Sequence, residues 1–133
     1  MYGCPIHWHT RLQRSVSHST AEAEYVAASM ASREVVFVRD VLLDLGSLPP
    51  GPTPLLMDSK SAIDMAFDPV AFKKTKHILR DAEYLRDLVA REVLVPRHVA
   101  SAEQVADVFT KTLPRPTFAA LVARLVGDTP QHT

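Results

Sequence analysis

The sequence predicts an α/β domain with helices packed on a sheet, and three observations predict it. A capped pattern of helical period starts at Ser19 and runs to Gly46. Two short apolar runs, Pro54-Leu55-Leu56-Met57 and Val93-Leu94-Val95, are too short for helices and are bounded by turn formers. The elements alternate as strand, helix, strand, helix, helix, strand, helix, helix, with connections long enough for parallel crossovers.

Ile6-His7-Trp8-His9-Thr10-Arg11-Leu12 alternates apolar and polar residues, which predicts a half-buried strand with Ile6, Trp8 and Leu12 on one face. Ser19 with Glu22 three residues on forms a capping-box pattern, and Ala27, Met30, Val38, Val41, Leu42 and Leu45 recur at helical spacing behind it. Residues 47 to 54 hold four prolines and a glycine and read as a loop. Pro54 to Met57 then reads as a buried strand that delivers Asp58 at its C-terminal end. A small helix from about Lys60 to Phe67 follows and ends at Asp68-Pro69.

A further helix is predicted from about His77 to Ala90, with Ile78, Ala82, Leu85 and Val89 on one side, then a strand over Val93 to Val95 that stops near Pro96. Ser101 with Gln104 repeats the capping pattern and predicts a helix carrying Asp107 as far as Lys111. Pro114 and Pro116 break the chain before a last helix from about Thr117 to Val126, striped by Phe118, Leu121, Val122 and Leu125. Residues 1–126 are expected to form the domain, and 127–133 a flexible polar tail.

The 133 residues suit one domain with a real core, since a chain near this size hides roughly two-thirds of its unfolded surface. Fifteen basic residues balance fifteen acidic ones, so bulk charge does not hold nucleic acid and a local patch would be needed. No apolar run approaches a membrane span, and Cys4, the single cysteine, allows no intrachain disulfide. An intracellular setting, cytoplasmic or nuclear, with no membrane partner is the expectation.

Three acids stand at the ends of apolar segments. Glu22 has a structural role as the partner of the Ser19 cap, whereas Glu24 points about 200° away around the helix. An acid drawn to the positive end of the helix dipole is the plain alternative for Glu24. Asp58 occupies the carboxyl edge of a strand, where α/β folds place functional groups, and could equally cap the helix that follows. Asp107 lies among Val105, Val108 and Phe109, next to packed surface or as a solvated helix acid. Converged, three or four carboxylates can hold two Mg²⁺ ions about 4 Å apart.

The strings that carry these acids resemble the C-terminal ribonuclease H region of copia-type retrotransposon polyproteins. The motifs are Ser19-Thr20-Ala21-Glu22-Ala23-Glu24-Tyr25-Val26-Ala27, Asp58-Ser59-Lys60-Ser61-Ala62-Ile63, Thr75-Lys76-His77-Ile78, and His98-Val99 followed by residues 104 to 114, Gln-Val-Ala-Asp-Val-Phe-Thr-Lys-Thr-Leu-Pro. They fall in family order and cover about Gly3 to Leu125. The resemblance implies a ribonuclease H-like fold that cleaves the RNA strand of an RNA/DNA hybrid with Mg²⁺, or Mn²⁺ in its place, held by four acids. It carries the metal and catalytic roles to Glu24, Asp58 and Asp107, and an assisting role in proton transfer or product release to His98.

In the family the first acid comes from an opening strand, and Met1 to Ala21 contain neither Asp nor Glu. The expectation is therefore an N-terminally truncated domain, an incomplete mixed sheet lacking the first two family strands, and weak or absent nuclease activity from this chain alone. Backbone left unpaired in mid-sheet would cost on the order of 1–3 kcal/mol per buried group. The missing polyprotein segment or a second copy could supply strands. Lys73, Lys74, Lys76, His77 and Arg80 form the densest basic cluster, suited to the nucleic-acid backbone or to a plain solvated face. His7 and His9 are too few for a zinc site, and Cys4 lacks a paired base. The contrasting functional class is a non-catalytic module, domesticated or self-associating through exposed sheet edges.

Overall fold

The computed structural model describes residues 5–10, 19–67 and 79–126. Among these described residues are a two-stranded parallel sheet and four α-helices, an α/β arrangement, and the chain groups into two compact units: Ser15–His98, and Met1–Arg14 with Val99–Thr133. Cys4, Arg11, Leu12, the Asp68-Pro69 stop, the Lys73 to Ile78 cluster and the 127–133 tail lie outside the described residues.

In the larger unit, α1 spans Thr20–Asp44, and Ser19 Oγ accepts the Glu22 amide at 3.1 Å, the cap that the spacing predicts. At the other end the Gly46 amide donates to Leu43 O at 2.9 Å and the Ser47 amide to Leu42 O at 2.8 Å. That pairing needs a left-handed residue, and Gly46 supplies it at φ +65°. The buried face matches the expected one only in part, with Met30 packed against the core. Tyr25, Val26, Ala28, Ser29 and Ser32 are buried, while Ala27, Val41 and Leu45 are exposed. Two serines hide this face from an apolar count. Small side chains let the helix approach the core closely, and Ser32 satisfies its hydroxyl by donating to Ser29 O at 2.7 Å.

Strand β1 is Thr53–Met57 and β2 is Leu94–His98, paired in parallel with Thr53 beside Leu94 and Met57 beside His98. The strand does not stop at Pro96. Because the Thr53 amide donates to Val93 O at 2.9 Å, the odd-numbered residues of β2 face β1. Pro96 therefore faces away from β1, and its missing amide removes no bond from this ladder. Leu55, Met57, Leu94 and Pro96 are buried, all on the face covered by helices.

Helix α2, Lys60–Phe67, buries Ala62 and Ala66, and α3, Leu79–Ala90, buries Leu85 and Leu88. These side chains join Tyr25, Val26, Ala28, Leu55, Met57 and Leu94 in one core cluster. After α3 the chain turns through Glu92, whose φ of +55° is the left-handed region that an ordinary side chain adopts only with strain. The Val93 amide donates to Leu88 O at 2.9 Å across this turn, which holds it closed.

The smaller unit differs from expectation in two places. The alternating segment forms no strand over its described residues 5–10, where Ile6 and Trp8 are 61% and 64% exposed; alternation alone does not hold an extended segment as a strand in water. The helix expected from Ser101 to Lys111 is instead two 3₁₀ turns, Ser101–Glu103 and Val105–Phe109, broken by an extended Gln104 at ψ 99°. Ser101 lies inside the first turn, Ala100 takes the cap position without a side-chain bond, and the β-branched Val105 and Val108 favour helix weakly. Helix α4, Arg115–Val126, starts earlier than expected because Pro116 is tolerated in a first turn. Leu121 is its buried anchor, and Arg124 pairs with Glu103 at 3.2 Å.

Two stability predictions follow from these assignments. Ser32→Leu overpacks the buried face and costs about 1–3 kcal/mol, whereas Val41→Ala on the exposed face stays within about 0.5 kcal/mol, as measured by urea unfolding. Glu92→Gly relieves the left-handed strain and stabilises the chain by about 1 kcal/mol in the same assay.

Candidate functional site

The topology of the larger unit brings several of the predicted residues to one end. Arg39 Nη1 donates to Gly51 O at 3.1 Å and to Thr53 Oγ1 at 2.8 Å, fixing the C-terminal part of α1 against the start of β1. From that anchor α1 reaches back about 22 Å to Glu24, and β1 advances about 17 Å to Asp58 in the same direction. Glu24 and Asp58 thus stand at the same end of the unit, each next in sequence to a core residue, Tyr25 and Met57. His98 shares that end because it ends β2 in register with Met57. Arg80 does too: α3 leads into β2 through a tight turn and packs against it, so its first turn lies at the carboxyl edge of the strands.

Exposure grades these groups. Glu24 and Asp58 are half-buried, while His98 and Arg80 are exposed. The cap of α2 is made by Ser59, whose Oγ accepts the Ala62 amide at 3.2 Å, so a capping bond is not what the sequence requires of Asp58. Tyr25, beside Glu24, is fully buried, and burial pushes its hydroxyl up to about 12 while the positive charge of Arg86 pulls the other way. Arg86 also reaches Met65 O through its Nε at 3.4 Å.

Asp107 belongs to the smaller unit. It is 8% exposed in the second 3₁₀ turn, and its Oδ2 accepts Lys111 Nζ at 2.8 Å. The expected burial next to packed surface is found, and the solvated alternative is not. The cation beside it was legible in the sequence as an i, i+4 pair. Among the described residues no group of three or more His, Cys, Asp or Glu side chains is placed to hold a metal ion. The donors are hard oxygens of the kind that suit Mg²⁺. The remaining basic candidates, Lys73, Lys74, Lys76 and His77, lie outside the described residues.

Comparison with known proteins gives a consistent set of relatives. The chain is 36% identical over 125 residues to the retrovirus-related Pol polyprotein from transposon TNT 1-94 of Nicotiana tabacum, covering 94% of this chain and 9% of that protein. It is 31% identical over 121 residues to the Pol polyprotein from transposon RE1 of Arabidopsis thaliana, covering 91% of this chain and 8% of the relative. The corresponding figures for transposon RE2 of the same plant are 32% over 114 residues, with 86% and 8% covered. The chain thus spans less than a tenth of the length of these curated relatives. No protein-family model matches it, and no solved structure matches it significantly. No helix among the described residues is long and apolar enough to cross a membrane.

The buried Tyr25 gives the site a pH signature. Its folded value lies above the ordinary 10.0, so the neutral hydroxyl is the form that the fold favours. The associated stability is complete below about pH 10 and is lost as pH rises toward 12, by on the order of 2–3 kcal/mol. Urea unfolding as a function of pH checks this, and Tyr25→Phe flattens the alkaline decline.

Proposed function

This chain belongs to the retrovirus-related Pol polyproteins of transposons, and from that premise we propose that it is the ribonuclease H-like segment of a copia-type member. The ancestral reaction in this reading is hydrolysis of the RNA strand in an RNA/DNA hybrid. The observation that carries it is the grouping of Glu24, Asp58 and His98 at the carboxyl edge of a parallel strand pair, with Arg80 at the same end. Half-buried carboxylates at a strand end are what a hydrolytic site on an α/β scaffold needs, since the core fixes their positions while water and substrate reach their outer oxygens.

Within this proposal Glu24 and Asp58 are the acids that would receive Mg²⁺ or Mn²⁺, and Asp107, in the smaller unit, keeps only the role that the family resemblance carries to it. A bound cation would supply charge neutralisation at the scissile phosphate. His98, exposed on the neighbouring strand, is the group suited to moving a proton at the edge of the site. Arg80 supplies a phosphate contact, with Lys73, Lys74, Lys76 and His77 before it in the chain. A second reading is a non-catalytic module, domesticated or self-associating through exposed sheet edges.

Anisotropy with a labelled RNA/DNA hybrid and a cleavage gel on the same samples test the proposal. The chain is expected to bind the hybrid more tightly with Mg²⁺ than without, and Arg80→Glu to weaken binding several-fold with a shallower salt dependence. Cleavage is expected to be weak and to vanish in Glu24→Gln and in Asp58→Asn. Cleavage that survives both substitutions removes the carboxylate assignment. Hybrid binding with no cleavage at any Mg²⁺ or Mn²⁺ concentration selects the second reading.

A further inference from the structure

The C-terminal half of α1 carries an exposed apolar ridge that the proposed nucleic-acid end does not use. Phe37, Val41 and Leu45 recur every four residues and are 65%, 41% and 70% exposed. On a helix such i, i+4, i+8 residues form one continuous row. Asp40 and Asp44, both exposed, lie along one flank of that row by the helical period. They sit in the last two turns, where the negative end of the helix disfavours an acid, and the last turn contains no basic residue to compensate. The helix accepts this local cost while presenting three large apolar side chains to solvent.

We propose that this face docks a cationic amphipathic helix of a partner protein. The row spacing fits the groove of a second helix, with apolar residues of the partner on the Phe37–Val41–Leu45 ridge and its Lys or Arg side chains against Asp40 and Asp44. The same charges select among occupants. Nucleic acid and an anionic membrane surface are both polyanions and are repelled by the flanking carboxylates and by the helix terminus. A second copy meeting the ridge in an antiparallel two-fold would bring Asp40 against its own equivalent. A cationic helix gains both the apolar contact and the neutralisation of the helix end. The contact is smaller than a standard stable interface, so binding is expected to be weak and strongly salt-dependent.

The test titrates the full chain with two synthetic helical peptides that share leucines at i, i+4 and i+8, one flanked by lysines and the other by glutamates. The lysine peptide is expected to bind saturably and at least tenfold more tightly than the glutamate peptide. In the double variant Asp40→Lys/Asp44→Lys that order is expected to reverse, and in Val41→Ser both are expected to weaken. Both positions are exposed, and circular dichroism confirms that the variants fold. Equal affinity for the two peptides, or a preference that survives in the double variant, overturns the proposal. Sedimentation of the chain alone closes the remaining route: a dimer dissolved by Val41→Lys would assign the ridge to a second copy and overturn it as well.

Discussion

Everything in the larger unit depends on burying one face of a long helix against two short strands. A parallel pair of five-residue strands cannot stand alone in water, so its stability comes from the helices laid over it. Ser29 and Ser32 are fully buried on the helix that carries Tyr25, and Leu55, Met57, Leu85 and Leu94 join Tyr25 in one cluster. Larger residues at those serines would hold the helix off the sheet, and smaller residues in the cluster would leave a void. Close packing of this kind transmits position, so wherever the helix settles the side chains at its ends are settled too.

That is why the candidate site is a consequence of the core and not an addition to it. Arg39 pins one end of α1 to Thr53, the cluster fixes the rotation of the helix, and Glu24, immediately before the core residue Tyr25, is positioned by those constraints. A shift of one residue along α1 would turn Glu24 by about 100° and move Tyr25 out of the core. Asp58 is fixed in a similar way from the other side, by Met57 in the core and by the Ser59 cap that starts α2 immediately after it.

Much of this was legible in the sequence where local chemistry decides. Ser19, Gly46 and the Lys60–Phe67 limits of α2 could be read because caps and prolines act within a few residues. The buried face of α1 could not, since hydrophobicity points to Val41 and Leu45 while tertiary contact selects Ser29 and Ser32. Pro96 misleads for a related reason: whether a proline stops a strand depends on which way its missing amide would have faced. The capping pattern at Ser101 fails because the chain enters the turn one residue earlier, at Ala100. For the site, a strand end pointed to Asp58, and the family resemblance pointed to His98. The burial of Tyr25 behind Glu24 and the choice of Ser59 over Asp58 as the cap are decided by the folded chain.

Zero net charge conceals a division of labour that the fold makes possible. α1 is about 37 Å long, several Debye lengths at physiological salt, so its two ends act as separate electrostatic environments. At the N-terminal end, Glu24 and Asp58 stand near a helix N-terminus, which favours anions, and with Arg80 in the same region; a polyanion can approach there once the carboxylates are neutralised. At the C-terminal end, Asp40 and Asp44 reinforce the negative terminus and reject a polyanion. On the proposed reading one helix separates the end assigned to nucleic acid from the end assigned to a basic protein partner, through the direction of its backbone dipole as much as through its side chains.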